Sequence, residues 1–183
     1  MTTVLFPFVQ GRIDPRTLTF IHSLYIKGVH VVWADVGKCH IAYGLYLAGL
    51  WGKDDLIVIE HDVGVTSEMF EDMLNCPYPF VCAQRYQVHP ASTYSEKSFS
   101  CQFNVVEGHG VPLPKNSGMP FCDHSGFGFI KFTKAIQLLV PMVYGDWKNI
   151  DIRWCRKARS LLGSKLIHVH YPEMKHYHGG EVT

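Results

Sequence analysis

The stretch Asp54-Asp55-Leu56-Ile57-Val58-Ile59-Glu60-His61-Asp62 decides the fold. Its centre is a short, unbroken apolar run, the pattern of a strand buried on both faces of a parallel sheet. The run then stops on carboxylates. A doubly buried strand cannot cheaply end that way unless the acids meet solvent, a cation or a donor. Residues at i and i+2 of an extended segment point the same way, so Glu60 and Asp62 face one spot. In open α/β sheets ligands gather at such carboxyl ends.

Working outward toward the start of the chain, Thr3 to Val9 reads as a buried first strand that ends in the loop Gln10-Gly11-Arg12. Asp14-Pro15 supplies an N-cap and a first-turn proline. Leu18, Ile21, Leu24 and Tyr25 then recur at helical spacing until Gly28. Val29 to Ala34 is a second strand, ending in Asp35-Val36-Gly37, and His40 to Leu50 carries helical spacing. Beyond the central stretch, Thr66 or Ser67 caps a helix to about Asn75, with acids at Glu68 to Asp72 where the helix dipole favours them. Phe80 to Gln84 is a fourth strand. This alternation predicts an α/β protein with a Rossmann-like, mostly parallel central sheet, right-handed crossovers and helices on both faces.

From Tyr86 to Met119 the sequence turns rich in Ser, Gly, Pro, Asn and His, with one strand expected at Ser100 to Val106. Such excursions often carry binding groups. Ser125 to Phe132, with alternating aromatics, reads as a strand, and Thr133 caps a helix through Leu139. Asn149 or Asp151 opens an amphipathic helix to Leu162 with Gly163 as its C-cap. Lys165 to His170 is the last expected strand, followed by a tail in which His168, His170, His176 and His178 crowd together.

A chain of 183 residues, 47% hydrophobic and 18% charged, suits one compact domain. The net charge of +1, without long basic runs, argues against nucleic acid or an acidic membrane as partner. The start of the chain lacks signal-peptide features and no run is long and apolar enough to span a membrane, so a cytoplasmic protein is expected. The six cysteines form no C-x-x-C pair and read as buried free thiols of a reducing compartment.

The arrangement resembles the GT-A glycosyltransferases of the family 2 kind, nucleotide-sugar-dependent enzymes on one three-layer Rossmann-like sandwich. Their D-x-D motif follows an apolar strand, as Glu60-His61-Asp62 does here. The resemblance implies that Asp62 binds Mn²⁺ or Mg²⁺ bridging a donor diphosphate, with Glu60 on the ribose or a metal-bound water. It places the nucleoside of a nucleotide diphosphate sugar against the Phe8 to Arg12 loop (Phe8, Gln10, Arg12) and Asp35. A late histidine, His170 or His176, completes the metal site. Asp151, at a helix start, is the candidate base for an acceptor hydroxyl, with Asp123 competing. Residues 1–85 form the nucleotide-binding half of a single domain and 86–183 the half that binds acceptor and completes the metal site. Glu60 departs from the motif's first aspartate, and Ile150 stands where an acid often precedes the base.

Arg12, Arg85 and Lys165 are candidate diphosphate partners, each with a plain surface charge as its alternative. Trp33, Trp51, Trp147 and Trp154 read as core or core-edge residues. The partners expected are the nucleotide-sugar donor and a glycan or other hydroxyl acceptor, with homo-oligomerisation left open. Two other readings are a metal-dependent hydrolase with Asp and His ligands, and a non-catalytic module binding a nucleotide sugar or glycan. Acidic strand ends also cap helices or sit in solvent.

Overall fold

Three strands form the nucleus that the apolar runs predict. β1 (Thr2–Phe8) lies between β2 (His30–Asp35) and β3 (Asp55–Ile59), all parallel. This computed structural model describes residues 1–37, 40–88, 99–100, 102–113, 119–142, 149–178 and 181–182. Among the helices are α1 (Pro15–Ile26), α2 (His40–Leu50), α3 (Ser67–Asn75), α4 (Lys134–Leu139) and α5 (Ile150–Leu162).

Side chains alternate along the strands and so feed two separate apolar clusters. Val4, Phe6, Ile57 and Ile59 join Phe20, Ile21 and Leu24 of α1 and Phe70 and Met73 of α3. Leu5, Leu56 and Val58 join Leu47 of α2, Ile136 of α4 and Trp154 of α5. Each large apolar side chain so buried contributes roughly 1.5–3 kcal/mol. The helix starts are fixed locally. Asp14 accepts from the Arg16 amide at 2.9 Å and Thr66 from the Met69 amide at 3.2 Å, caps that contribute about 1 kcal/mol each.

The rest of the sheet comes from later in the chain. After the short β4 (Val63–Gly64) come β5 (Val81–Val88), β6 (Phe99–Ser100), β7 (Gln102–Val106) and β8 (His109–Pro112). Then follow β9 (Phe121–Cys122), β10 (His124–Ser125), β11 (Phe129–Phe132), β12 (Ile167–His178) and β13 (Glu181–Val182). The main path runs β13-β12-β5-β11-β3-β1-β2, with β4 and β9 on β12 and β6 on β5. A smaller antiparallel sheet, β10-β7-β8, stands beside it.

The architecture is thus mixed α/β with a large, mostly parallel sheet. One feature escapes the strand-helix rhythm: β11 enters antiparallel between β3 and β5, pairing Ile130 with Val58 on one side and Ala83 on the other. The strand expected over 125–132 is two strands, β10 and β11, separated by a bend that holds Gly126 and Gly128. The last strand is longer than its sequence suggests. It pairs with β5 as far as His170, shifts register before Met174, and continues to His178 past Pro172.

Arg85 is fully buried, contrary to the expectation of a surface or diphosphate-binding charge. It donates to Leu113 O at 3.0 Å and lies 3.6 Å from the Glu173 carboxylate, tying the excursion and β12 to β5. Trp51 and Trp154 meet Phe132 in the core, and Trp33 packs edge-on against Phe6. Trp147, Cys39 and Cys101 lie outside the described residues.

Candidate active site

β3 ends at Ile59, and the Glu60 amide extends its ladder by one rung, donating to Gly128 O at 2.9 Å. His61 turns its carbonyl back to accept from the Asp14 amide at 3.0 Å, which fixes the acidic segment against the start of α1. β4 follows at once and pairs antiparallel with the far end of β12, Val63 opposite His176 and Gly64 opposite Lys175. That pairing delivers His176 to Asp62. Its Nε2 lies 3.6 Å from Asp62 Oδ2, and its ring stacks on Tyr86 at 6.0 Å and 12°.

Asp151 approaches from the first turn of α5, which starts after Asn149 in the left-handed region (φ 58°). Gly126 marks where it meets the sheet. A Cβ at Gly126 would come within 2.2 Å of Tyr86 Oη and 3.7 Å of Asp151 Oδ2. One at Gly128 would stand 3.0 Å from Tyr86 Cζ, and the Gly128 amide donates to Tyr86 Oη at 3.2 Å. Two glycines therefore make the room in which a tyrosine, a histidine and three carboxylates converge.

The electrostatics follow from burying like charges together. Burial first, then the negative charges of Asp62 and Asp151, pushes Glu60 up to about 8. Burial also raises Asp151, against the lowering pull of the Ile152 amide and its own. Tyr43 on α2 is raised well above its ordinary value by burial, then by Glu60 and Asp151. Asp62 Oδ1 is buried and accepts no hydrogen bond among the described residues. In the same set of residues no lysine or arginine forms an ion pair with Glu60, Asp62 or Asp151. Asp62, with its unengaged buried oxygen, and His176 supply one carboxylate and one imidazole of the kinds that a Mg²⁺ or Mn²⁺ site uses, and among the described residues no third His, Cys, Asp or Glu ligand atom gathers with these two.

The other residues expected at the site divide. Phe8 and Asp35 are register partners at the ends of β1 and β2, on the same sheet end as Glu60. Phe8 stacks on Phe6 at 5.8 Å, and Asp35 accepts from the Gly37 amide at 3.0 Å. Gln10 and Arg12 are exposed on the loop between β1 and α1. Asp123 has both oxygens engaged, accepting from the Val105 amide at 2.8 Å and the Lys165 amide at 2.7 Å. It holds the small sheet to the approach of β12 and leaves Asp151 as the carboxylate beside Glu60. His170 sits next to His168, ring centroids 4.8 Å apart, in a group with Cys76 and Cys82. His176 is the late histidine that reaches the acidic segment.

Tyr43 and Tyr86 belong to the cluster and carry no motif. The only signal for Tyr86 is indirect, in the paired glycines of Gly126-Phe127-Gly128, which vacate the volume it fills.

No protein-family model matches the sequence, and no curated protein matches it. Among solved structures, A197 from STIV is similar at a TM-score of 0.63 and 11% sequence identity, over 98% of this chain and 87% of that one. A glycosyltransferase involved in the glycosylation of the major capsid of PBCV-1 is similar at a TM-score of 0.43 and 10% identity, over 94% of this chain and 83% of that one. The second likeness is too slight to carry an argument. The first, spanning nearly the whole chain at so low an identity, shows that this protein shares its fold with A197 and shows nothing further.

Proposed function

We propose that this protein is a metal-dependent glycosyltransferase with a GT-A-like three-layer arrangement, moving a sugar from a nucleotide diphosphate sugar to an acceptor hydroxyl. The observation that carries the reading is the meeting of Asp62 and His176 at 3.6 Å beside Glu60 and Asp151, with Asp62 Oδ1 buried and unengaged. Asp62 and His176 would hold Mn²⁺ or Mg²⁺, with Glu60 as an outer partner. The cation, when bound, supplies charge neutralisation for the departing nucleoside diphosphate. The Phe8 to Arg12 loop and Asp35, at the carboxyl ends of adjacent parallel strands, offer an aromatic edge and a carboxylate to the nucleoside. Residues 1–85 thus serve the donor, and 86–183 supply His176 and the acceptor side.

Asp151 acts as the base. Its burial raises its proton affinity, and it lies across Gly126 from Tyr86, where it would take the proton of an acceptor hydroxyl. Burial and the neighbouring carboxylates favour the protonated form of Glu60 at neutral pH, and a cation held beside it would favour the ionised form instead. No helix among the described residues is long and apolar enough to cross a membrane. A cytoplasmic setting accords with the thiol-rich composition.

The test is a thermal-shift screen of nucleoside diphosphates and nucleotide sugars with and without Mn²⁺, followed by assay of nucleoside diphosphate release. Stabilisation that needs both nucleotide and metal and vanishes in Asp62→Ala supports the reading. Binding without release points to a non-catalytic module. Stabilisation by no nucleotide under any metal condition overturns it.

A further inference from the structure

A second group of ligating side chains lies away from the acidic cluster. Cys76 is the C-cap of α3, Cys82 lies on β5, and His168 and His170 lie on β12. Four soft or borderline donors from three segments of the chain reach one place, and the reason is in the strand register. β12 runs parallel to β5 with His168 opposite Cys82, so these two side chains share a face. His170, two residues on, points the same way. Cys76 closes over them as the chain leaves α3. One ligand atom from each residue can be chosen so that all four lie within 4.8 Å of one another. Cys82 Sγ is 3.1 Å from Cys76 Sγ, and Cys76 Sγ is 3.9 Å from His168 Nδ1.

We propose that Cys76, Cys82, His168 and His170 form a closed, four-ligand structural Zn²⁺ site that fastens the last long strand to β5 and to the end of α3. Two thiolates and two imidazoles are a donor set that selects zinc over Mg²⁺ or Mn²⁺, and tetrahedral coordination uses all four. With Zn–S near 2.3 Å, two thiolates in a tetrahedron stand about 3.8 Å apart, so the sulfurs need separate by only a fraction of an ångström. His170 Nε2 is buried with no hydrogen-bond partner among the described residues, a cost that a bonded ion removes. Binding releases the two thiol protons to solvent and leaves a site of no net charge. Lys131, whose Nζ donates to Leu74 O at 2.8 Å, and Asp72 on α3 are the charged neighbours of the group, one of each sign. The spacing Cys-x5-Cys and His-x-His matches no zinc-finger pattern, which explains why thiols that read as inert in the sequence escape notice.

The whole protein, purified under reducing conditions, is analysed for metal and then reconstituted with Co²⁺ after chelation. One zinc per chain is expected, with a cobalt spectrum showing tetrahedral bands and thiolate-to-metal charge transfer. Cys76→Ser and His170→Gln should each lose most of the bound zinc and the charge-transfer band, while Asp62→Asn keeps both. Should the ligand variants fail to fold, the zinc content and cobalt spectrum of the unaltered protein decide the matter. Substoichiometric zinc with no thiolate band after reconstitution overturns the proposal. So does full zinc content in a Cys76→Ser, Cys82→Ser double variant, or a Cys76–Cys82 disulfide whose reduction yields no zinc binding.

Discussion

His176 lies 3.6 Å from Asp62 across a strand pair, β4 with β12, that forms only because β12 runs on beyond its bulge. The sheet thereby brings a side chain from near the end of the chain to the carboxylate that follows its third strand. Asp62→Asn and His176→Ala should both abolish the joint stabilisation by Mn²⁺ and nucleoside diphosphate. That stabilisation is about 2.7 kcal/mol at a ligand concentration roughly a hundred times the dissociation constant. They differ without ligand. Asp62→Asn removes one of several like charges and should leave the melting temperature unchanged or raised. His176→Ala also loses its stack on Tyr86 and should cost about 0.5–1.5 kcal/mol.

Glu60 predicts the pH dependence of the metal-free protein. Its folded-state value, about 8, lies above the ordinary 4.5. Between these values the folded protein holds a proton that the unfolded chain has lost. Its contribution is therefore fully present below about 4.5 and is lost as pH rises through 8. Glu60→Gln removes this titration. Denaturant melts should show the variant more stable than the parent above pH 8, with the gap closing toward about pH 5. Parallel stability–pH curves for the two proteins would refute a buried, proton-holding Glu60.

How far the sequence shows these features depends on how local their causes are. The three parallel strands and the caps at Asp14 and Thr66 are set by runs and single residues, and they read directly. The antiparallel insertion of β11 does not, since Phe129–Phe132 is buried on both faces, Lys131 included, and its pattern would serve either direction. Pro172 hides the continuation of β12, because a proline after alternating residues looks like an end. With that strand cut short, His170 and His176 cannot be told apart. The register with Cys82 and the pairing with β4 separate them into two groups. Arg85 reads as a surface charge because nothing near it in sequence announces Leu113 O or Glu173, its partners across the fold.

The contact between Gly126 and Tyr86 makes a double-variant test of the site's architecture. Gly126→Ala puts a methyl group 2.2 Å from Tyr86 Oη and should cost about 1–3 kcal/mol by overpacking. Tyr86→Phe alone leaves the Gly128 amide without its acceptor, a cost of about 1–3 kcal/mol. Combined, the two should cost less than their sum by at least roughly 0.5 kcal/mol, because the phenylalanine yields the space that the methyl group takes. Strict additivity in urea denaturation would mean that the hydroxyl does not abut Gly126.

The two candidate bases should separate by what each carboxylate touches. Asp123 accepts a backbone amide on each oxygen, so Asp123→Asn turns an NH₂ toward one of those donors. That should destabilise the fold by about 1–3 kcal/mol while leaving turnover per folded molecule nearly unchanged. Asp151, on the first turn of α5, is an electrostatic neighbour of Glu60, and its conversion to Asn removes a charge that burial already disfavours. Asp151→Asn should therefore keep or raise stability, keep metal and nucleotide binding, and lower sugar transfer by about 10²–10⁴-fold. Thermal melts, nucleotide titrations and product formation on both variants check the assignment. If Asp123→Asn instead abolished transfer in a stably folded protein, and Asp151→Asn left it intact, the roles would have to be exchanged.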